Sequence, residues 1–122
     1  MRLLVDGMNV IGSRPDGWWR NRQKAWRRLA RQLAEHAARS GGEVRLVLDG
    51  SRPGDWDEAV ETIFARGRRG AADDAIVELV EADPDPGSLN VVTSDRELEQ
   101  RVQELGAAVT PASPFRARLE DG

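Results

Sequence analysis

The chain has 122 residues, no cysteine and a formal net charge of −3 at pH 7. This length suits a single domain, predicted over 1–122. The lack of cysteine excludes disulfides and thiolate metal sites and agrees with a reducing compartment. No segment approaches the roughly 20 apolar residues that cross a bilayer, and the N-terminus does not resemble a signal peptide. We therefore expect a cytoplasmic protein with no membrane partner.

The first predicted strand ends on a carboxylate. An apolar run at 3–5 is typical of a strand buried on both faces, and Asp6 and Gly7 end it. In a parallel α/β sheet, ligands bind at the carboxyl ends of the strands. Asp6 and the nearby Asn9 are therefore candidate site residues. The alternative is that Asp6 only caps a turn, as Asp often does after a strand.

A long helix is predicted next, from an N-cap at Asn21 to about Arg39. Its apolar face has helical spacing and contains Trp26, Leu29, Ala30, Leu33 and Ala37. Its opposite face carries the basic residues Arg27, Arg28 and Arg31. Ordinary solvation is one explanation of that basic face, and RNA binding is the other. Trp18 and Trp19 suit core or lid positions, although aromatics beside arginines also suit single-stranded nucleic acid.

The middle of the chain supplies two further strands and a basic loop. Val44 to Leu48 is a buried strand that Asp49-Gly50 ends, so a second carboxylate reaches the same edge of the sheet. Val60 to Ala65 contains β-branched and aromatic residues that favour a strand over a helix. The flexible loop that follows contains Arg66, Arg68 and Arg69.

Two adjacent acids open the next predicted helix, Asp73 to Ala82. Its apolar stripe is predicted to be Ala72, Ile76, Leu79 and Val80. An Asp in the first turn satisfies free N–H groups and suits the helix dipole. One Asp would meet that need, so the pair Asp73 and Asp74 suggests a further role.

Leu89 to Thr93 is another buried strand, and a helix follows it. Ser94 and Glu97 have the spacing of a capping box, which leaves Asp95 unexplained by local structure. Glu99 lies one turn after Asp95 and on the same side of the helix.

The remaining elements complete an alternating pattern of strands and helices. Ala107 to Thr110 is predicted as a short strand, and Ser113-Pro114 as the start of a last helix through Leu119. This alternation predicts an α/β fold with a mainly parallel sheet and helices on both faces. Asp6, Asp49 and Asp95 then share one edge, which the Asp73–Asp74 turn can face.

Clustered carboxylates favour a metal-dependent chemistry. Like charges raise one another's pKa and destabilise a fold unless a cation joins them. Oxygen ligands suit Mg²⁺ or Mn²⁺, which bind through a few carboxylates together with substrate phosphate. Such ions activate water for attack on a phosphodiester. The single histidine, His36, cannot supply both acid and base, so histidine-based RNA cleavage is disfavoured.

Four segments, spread over nearly the whole chain, resemble motifs of the NYN domain family, and within it the YacP-like group of the PIN-like nuclease superfamily. They are LLVDGMNVIG at 3–12, LVLDG at 46–50, ADDAI at 72–76 and VVTSD at 91–95. The resemblance implies a PIN-like three-layer α/β/α sandwich and a metal-dependent endoribonuclease. Met8 departs from the aromatic residue common in the first motif, and Asp74 stands where some relatives have Glu.

The resemblance also implies roles for individual residues. Asp6, Asp73 and Asp95 match the metal-binding carboxylates and Asn9 a residue that positions substrate or water. The weaker matches, as further candidate ligands, are Asp74, Asp49 and Glu99. Family members that cut mRNA in association with the ribosome make mRNA on the ribosome a candidate partner.

Two other functions stay open. One is a catalytically silent RNA- or ribosome-binding module on the same fold. The other is a phosphotransfer or small-nucleotide-binding protein, which is weakened because no glycine-rich phosphate loop follows the first strand. For the nuclease, we predict that single-stranded RNA reaches the acidic edge along a basic track. This track consists of Arg27, Arg28, Arg31, Arg66, Arg68 and Arg69.

Overall fold

The computed structural model describes residues 2–121, in which a five-stranded sheet lies between two layers of helices. Met1 and Gly122, the ends of the predicted domain, lie outside the described residues. The strands are β1 (Arg2–Asp6), β2 (Val44–Asp49), β3 (Glu61–Ala65), β4 (Leu89–Val92) and β5 (Ala108–Thr110). The α-helices are α1 (Gly7–Ile11), α2 (Arg22–Ser40), α3 (Ala71–Ala82), α4 (Arg96–Glu104) and α5 (Ala112–Asp121). Short 3-10 turns lie at Trp18–Arg20 and Pro86–Ser88.

The sheet is parallel throughout, and its strand order is β3-β2-β1-β4-β5. The chain moves outward from β1 to β3 and then continues on the other side of β1 with β4 and β5. The order therefore reverses between β1 and β4, where ligands bind in open α/β sheets. Val5 pairs with Val92 across this junction. Asp6 and Thr93, the next residues along the chain, consequently lie side by side there.

Side chains of β1 alternate between two cores. Leu4 packs with α3 and α4, and Val5 packs with α1, α2 and α5. Both residues are fully buried, which confirms the prediction of a strand covered on both faces. Because alternate residues of a strand share a face, Asp6 lies on the α3–α4 side with Leu4. The three-layer α/β/α sandwich predicted from the sequence is confirmed.

The long basic helix forms as predicted. The side chain of Asn21 accepts a hydrogen bond from the backbone N–H of Lys24 at 3.1 Å, and Gly41 ends α2 in the left-handed conformation. The buried residues of α2 are Trp26, Leu29, Ala30 and Leu33. In α3 the buried set includes Val77, whereas Leu79 of the predicted stripe is only half-buried. Within 2–121, no helix is both long and apolar enough to cross a membrane.

The predicted capping box at the start of α4 is wrong. The N-cap is Asp95, whose carboxylate accepts a hydrogen bond from the N–H of Leu98 at 3.0 Å. The hydroxyl of Ser94 instead accepts from the N–H of Ala112 at 2.8 Å. A serine close in sequence to one helix therefore serves another helix, because the fold brings the start of α5 beside it.

The start of α5 also differs from the prediction. The helix begins at Ala112, so Ser113 and Pro114 lie within its first turn and do not form its cap. Proline is compatible with this turn because its missing N–H would have no partner inside the helix. The hydroxyl that satisfies this end of the helix comes from Ser94, which sequence spacing could not show.

Candidate active site

A buried carboxylate lies at the junction of β1 and β4. Asp6 is 5% exposed and Thr93 is 0% exposed. The Thr93 hydroxyl donates a hydrogen bond to Oδ2 of Asp6 at 2.8 Å and accepts one from the N–H of Asp95 at 3.1 Å. Burying a carboxylate without partners is costly, and this hydroxyl satisfies one of its oxygens. Thr93 thus orients Asp6 and connects it to the first residue of the α4 turn.

Sequence reasoning missed Thr93 as a site residue. The sequence predicts only that Thr93 ends a strand and belongs to the VVTSD motif, because a threonine hydroxyl has no obvious chemistry there. The signal that could have found it is the pairing of β1 with β4, which sets the residue after Val92 beside Asp6. That pairing follows from strand order and register, which apolar runs do not specify.

Three acids act on one another at this edge. The pKa of Asp6 is raised to about 6, mainly by burial and also by the negative charges of Asp73 and Asp95, while the hydrogen bond from Thr93 opposes the rise. Burial also raises the pKa of Asp73, as does the charge of Asp95, while Arg101 opposes them. The charges of Asp6, Asp73 and Asp95 therefore interact at this edge, although their role as metal ligands stays a prediction.

The adjacent acids of α3 have different surroundings. Asp74 forms salt bridges with Arg68 and, at 3.3 Å, with Arg101. The hydrogen bond from Arg68 is the main reason that the pKa of Asp74 is lowered. Asp73 has no ion pair with any residue in 2–121. Asp74 thus pairs with arginines, whereas the charge of Asp73 acts on Asp6.

Asn9 connects the two turns that carry the acids. Its side-chain oxygen accepts a hydrogen bond from the N–H of Ser94 at 2.7 Å, which ties α1 to the segment between β4 and α4. The backbone N–H of Asn9 donates a hydrogen bond to Asp6, which lowers the pKa of that carboxyl. The remaining polar group of Asn9 is its NH₂, a donor that could meet a phosphate or a water. A role in positioning substrate stays a prediction.

Two weaker candidates lie farther out. Asp49 ends β2, two residues beyond Val47, which is the register partner of Asp6. That offset corresponds to about 7 Å along the strand, on the same face as Asp6. Glu99 is half-buried in α4, and its backbone N–H donates to the carbonyl of Asp95 at 2.9 Å. The structure gives neither residue a ligand role, so both stay predictions.

The chemistry of these residues fits a hard divalent cation. The donors are carboxylate oxygens. The pKa values of Asp6 and Asp73 are raised first by burial and then by neighbouring negative charges, and a bound cation would favour the ionised form of both acids. Within 2–121, however, no three acidic, His or Cys side chains are grouped closely enough to hold a metal ion unaided. Mg²⁺ and Mn²⁺ keep several waters and take ligands from substrate phosphate, so they do not need a complete protein cage.

The six predicted RNA-binding arginines are at or near the surface, and half of them form ion pairs. The pairs are Arg27 with Asp55 at 2.8 Å, Arg28 with Glu120 at 3.9 Å, and Arg68 with Asp74. Arg66 donates to the hydroxyl of Ser51 at 3.3 Å, and Arg31 and Arg69 are exposed. Exposed ion pairs contribute little to stability and can be exchanged for phosphate. Their RNA-binding role stays a prediction.

A parallel α/β/α sandwich with acids at the reversal of strand order is the architecture of PIN-like nuclease domains. The YacP-like NYN domain family matches the chain over residues 3–121, and the chain belongs to this family, which is nuclease-like and related to RNA. A comparison with curated proteins found no match.

Solved structures agree with this assignment. The chain is similar to the crystal structure of Rae1 (YacP) from Bacillus subtilis, with 27% identity and a TM-score of 0.81, over 99% of this chain and 74% of that one. A mutant of the same protein gives 28% identity and a TM-score of 0.81, over 99% of this chain and 76% of that one.

Proposed function

We propose that this chain is a metal-dependent endoribonuclease that hydrolyses phosphodiester bonds in single-stranded RNA. The observation that carries the proposal is the buried Asp6 carboxylate, oriented by Thr93 at the reversal of strand order and placed within reach of the charges of Asp73 and Asp95. Membership of the YacP-like NYN family supports a nuclease and an RNA substrate. The cell compartment that suits this activity is the cytoplasm, and mRNA on the ribosome is the candidate substrate.

Asp6, Asp73 and Asp95 would hold Mg²⁺ or Mn²⁺. When bound, such an ion supplies an activated water and stabilises charge that develops on the phosphate. Asp6 contributes a carboxylate fixed by Thr93, so little ordering remains to be done on binding. Asp95 uses Oδ1 to cap α4 and has Oδ2 to offer. The NH₂ group of Asn9 would orient a phosphate oxygen or a water by hydrogen bonding.

One observation favours a second candidate, a catalytically silent RNA- or ribosome-binding module. The acids within 2–121 do not form a ready metal site, as described above. In a silent module, the basic surface would bind RNA and the acidic edge would be a remnant of the fold. The two candidates share RNA binding and differ in metal-dependent cleavage.

The test is cleavage of end-labelled single-stranded RNA with Mn²⁺, with Mg²⁺ or with chelator. The variants are Asp6→Asn and a matched control, Asp85→Asn, which removes the same charge from an exposed residue before β4. We expect metal-dependent cleavage by the wild type and the control, and loss of cleavage with retained RNA binding in Asp6→Asn. Cleavage that survives both chelator and Asp6→Asn would refute the proposal. RNA binding without cleavage in any metal would support the silent module.

A further inference from the structure

A cleft lies on the face of the sheet that α1, α2 and α5 cover, opposite the face on which Asp6 lies. It has a volume of about 340 Å³ and lies between the Trp18–Arg20 turn, α2 and α5. Its apolar part includes Val10, Ile11 and Leu29, and Trp18 forms one wall. Its charged lining residues are Arg20, Lys24, Arg28 and Arg116, with Asp16 as the single acid. The cleft thus combines an aromatic and apolar interior with an excess of positive charge.

Two of the cations in this cleft are free to meet an anion. Arg116 is already occupied, because it pairs with Asp16 at 2.6 Å and donates to the carbonyl of Ile11 at 2.8 Å. Arg28 lies 3.9 Å from Glu120. Arg20 and Lys24 form no ion pair with any residue of the described range 2–121. Their charge is therefore uncompensated by direct contact.

The combination selects one class of ligand. A free phosphate would use the cations and leave the apolar interior wet, and an apolar molecule would leave the cations unpaired. A nucleotide of a single strand uses both, because its base can stack on an aromatic ring while its phosphate meets Lys or Arg. The ring of Trp19, which is 51% exposed, lies 5.9 Å from the ring of Trp18 between centroids and adds a second aromatic surface beside it.

The cleft is also placed to serve the acidic edge. Helix α1 begins directly after Asp6, and its last residues, Val10 and Ile11, line the cleft. A helix of five residues is about 7 Å long, so a short length of RNA could reach from one site to the other. We propose that the cleft binds one nucleotide of the RNA substrate, base against Trp18 and phosphate against Arg20 and Lys24, beside the scissile position. This inference rests on the proposed function for the identity of the strand.

The test measures binding apart from cleavage. Fluorescence anisotropy of a labelled single-stranded RNA in chelator compares the wild type with Lys24→Glu and with Arg22→Glu. The two variants reverse one charge in the same turn of α2, but Arg22 does not line the cleft. We expect about a tenfold loss of affinity for Lys24→Glu and a much smaller loss for Arg22→Glu, since the latter acts only through the general field. Equal losses would overturn the proposal.

A second measurement tests the base. Adenosine monophosphate should displace the RNA from the wild type at about tenfold lower concentration than inorganic phosphate does. Trp18→Leu should remove that advantage. If Trp18→Leu fails to fold, Arg20→Glu is measured in its place, because Arg20 is exposed, and this variant should bind both competitors more weakly. No preference of the wild type for the nucleotide would overturn the base contact.

These results separate the cleft from the nuclease. A wild type that cleaves RNA with Mn²⁺ but loses no affinity in Lys24→Glu keeps the proposed function and refutes the cleft. A wild type that cleaves nothing but shows Lys24-dependent, nucleotide-competed binding refutes the nuclease and supports the cleft. A wild type that binds neither RNA nor adenosine monophosphate refutes the cleft directly.

Discussion

Replacing Asp6 by Asn should stabilise the metal-free protein at pH 7. Burial is the main cause that raises the pKa of Asp6 from 3.8 to about 6. Because one pKa unit corresponds to 1.36 kcal/mol, keeping this carboxylate ionised costs the folded state about 3 kcal/mol at neutral pH. Asn has nearly the same shape, carries no charge and can still accept the hydrogen bond from Thr93. We expect a gain of about 1–3 kcal/mol in the free energy of unfolding.

The gain should depend on pH in a defined direction. The folded state holds the Asp6 proton more tightly than the unfolded state, since the pKa is higher in the folded protein. The Asp6 contribution to wild-type stability is therefore lost as the pH rises from about 4 to about 6 and changes little above that. Below this window Asp6 is protonated in both states, and wild type and Asp6→Asn should be nearly equal. Urea unfolding in chelator at about pH 3 and at pH 7 measures the difference.

Asp83→Asn provides a control with the opposite sign. Arg2 binds both carboxylate oxygens of Asp83 at 2.8 Å and lowers the pKa of Asp83 to about 2. The stability that this pair contributes is present above the ordinary pKa and is lost as the pH falls towards 2. Asp83→Asn should therefore destabilise the protein at pH 7. If Asp6→Asn is also destabilised at pH 7, Asp6 is a structural cap and the argument for a functional carboxylate fails.

Four further changes test the site and its surroundings. Thr93→Val should raise the pKa of Asp6 further and lower stability by about 1–3 kcal/mol, with Thr93→Ser restoring both, as NMR titration and urea unfolding would show. Mn²⁺ at about 100 times its Kd should add about 2.7 kcal/mol to wild-type stability and much less to Asp6→Asn, measured by thermal melting. Gly7→Ala should cost about 1–3 kcal/mol in urea unfolding, because a Cβ would lie 2.6 Å from Cδ2 of Leu48. Arg31→Glu should weaken RNA binding and flatten its salt dependence, and unchanged anisotropy would mean that this exposed arginine is only solvated.

The fold and the placement of the acids could be predicted because local signals agree with one another. Apolar runs end at Asp6 and Asp49, and helices with apolar faces follow β1, β3 and β4. Parallel strands separated by helices have their carboxyl ends at one edge. A carboxylate directly after such a strand is therefore at that edge, whatever the strand order. This is why Asp6 and Asp49 could be grouped from the sequence before any contact was known, together with Asp95, which lies three residues beyond the end of β4.

The hydrogen bonds that organise the site could not be predicted, because they join distant parts of the chain. The pairing of Asp6 with Thr93 depends on β1 lying beside β4, and Ser94 caps a helix that begins 18 positions later. A hydroxyl can accept a hydrogen bond from any of several nearby N–H groups, and the tertiary fold determines which of them it meets. The same holds for Asp74, which pairs with Arg68 and Arg101 while its neighbour does not.

The contrast between Asp6 and Asp74 is the strongest physical argument for function at this edge. Asp74 is an acid that the fold compensates, with two arginines that lower its pKa. Asp6 is buried and accepts a hydrogen bond from the Thr93 hydroxyl. It has no ion pair within residues 2–121, and its neighbours Asp73 and Asp95 carry like charges. A buried carboxylate that destabilises the fold, at a position where Asn would fit, is expected where the function needs the negative charge. The partner that this carboxylate lacks is a positive charge. A divalent cation would supply it, and an RNA phosphate would provide further ligands to that cation.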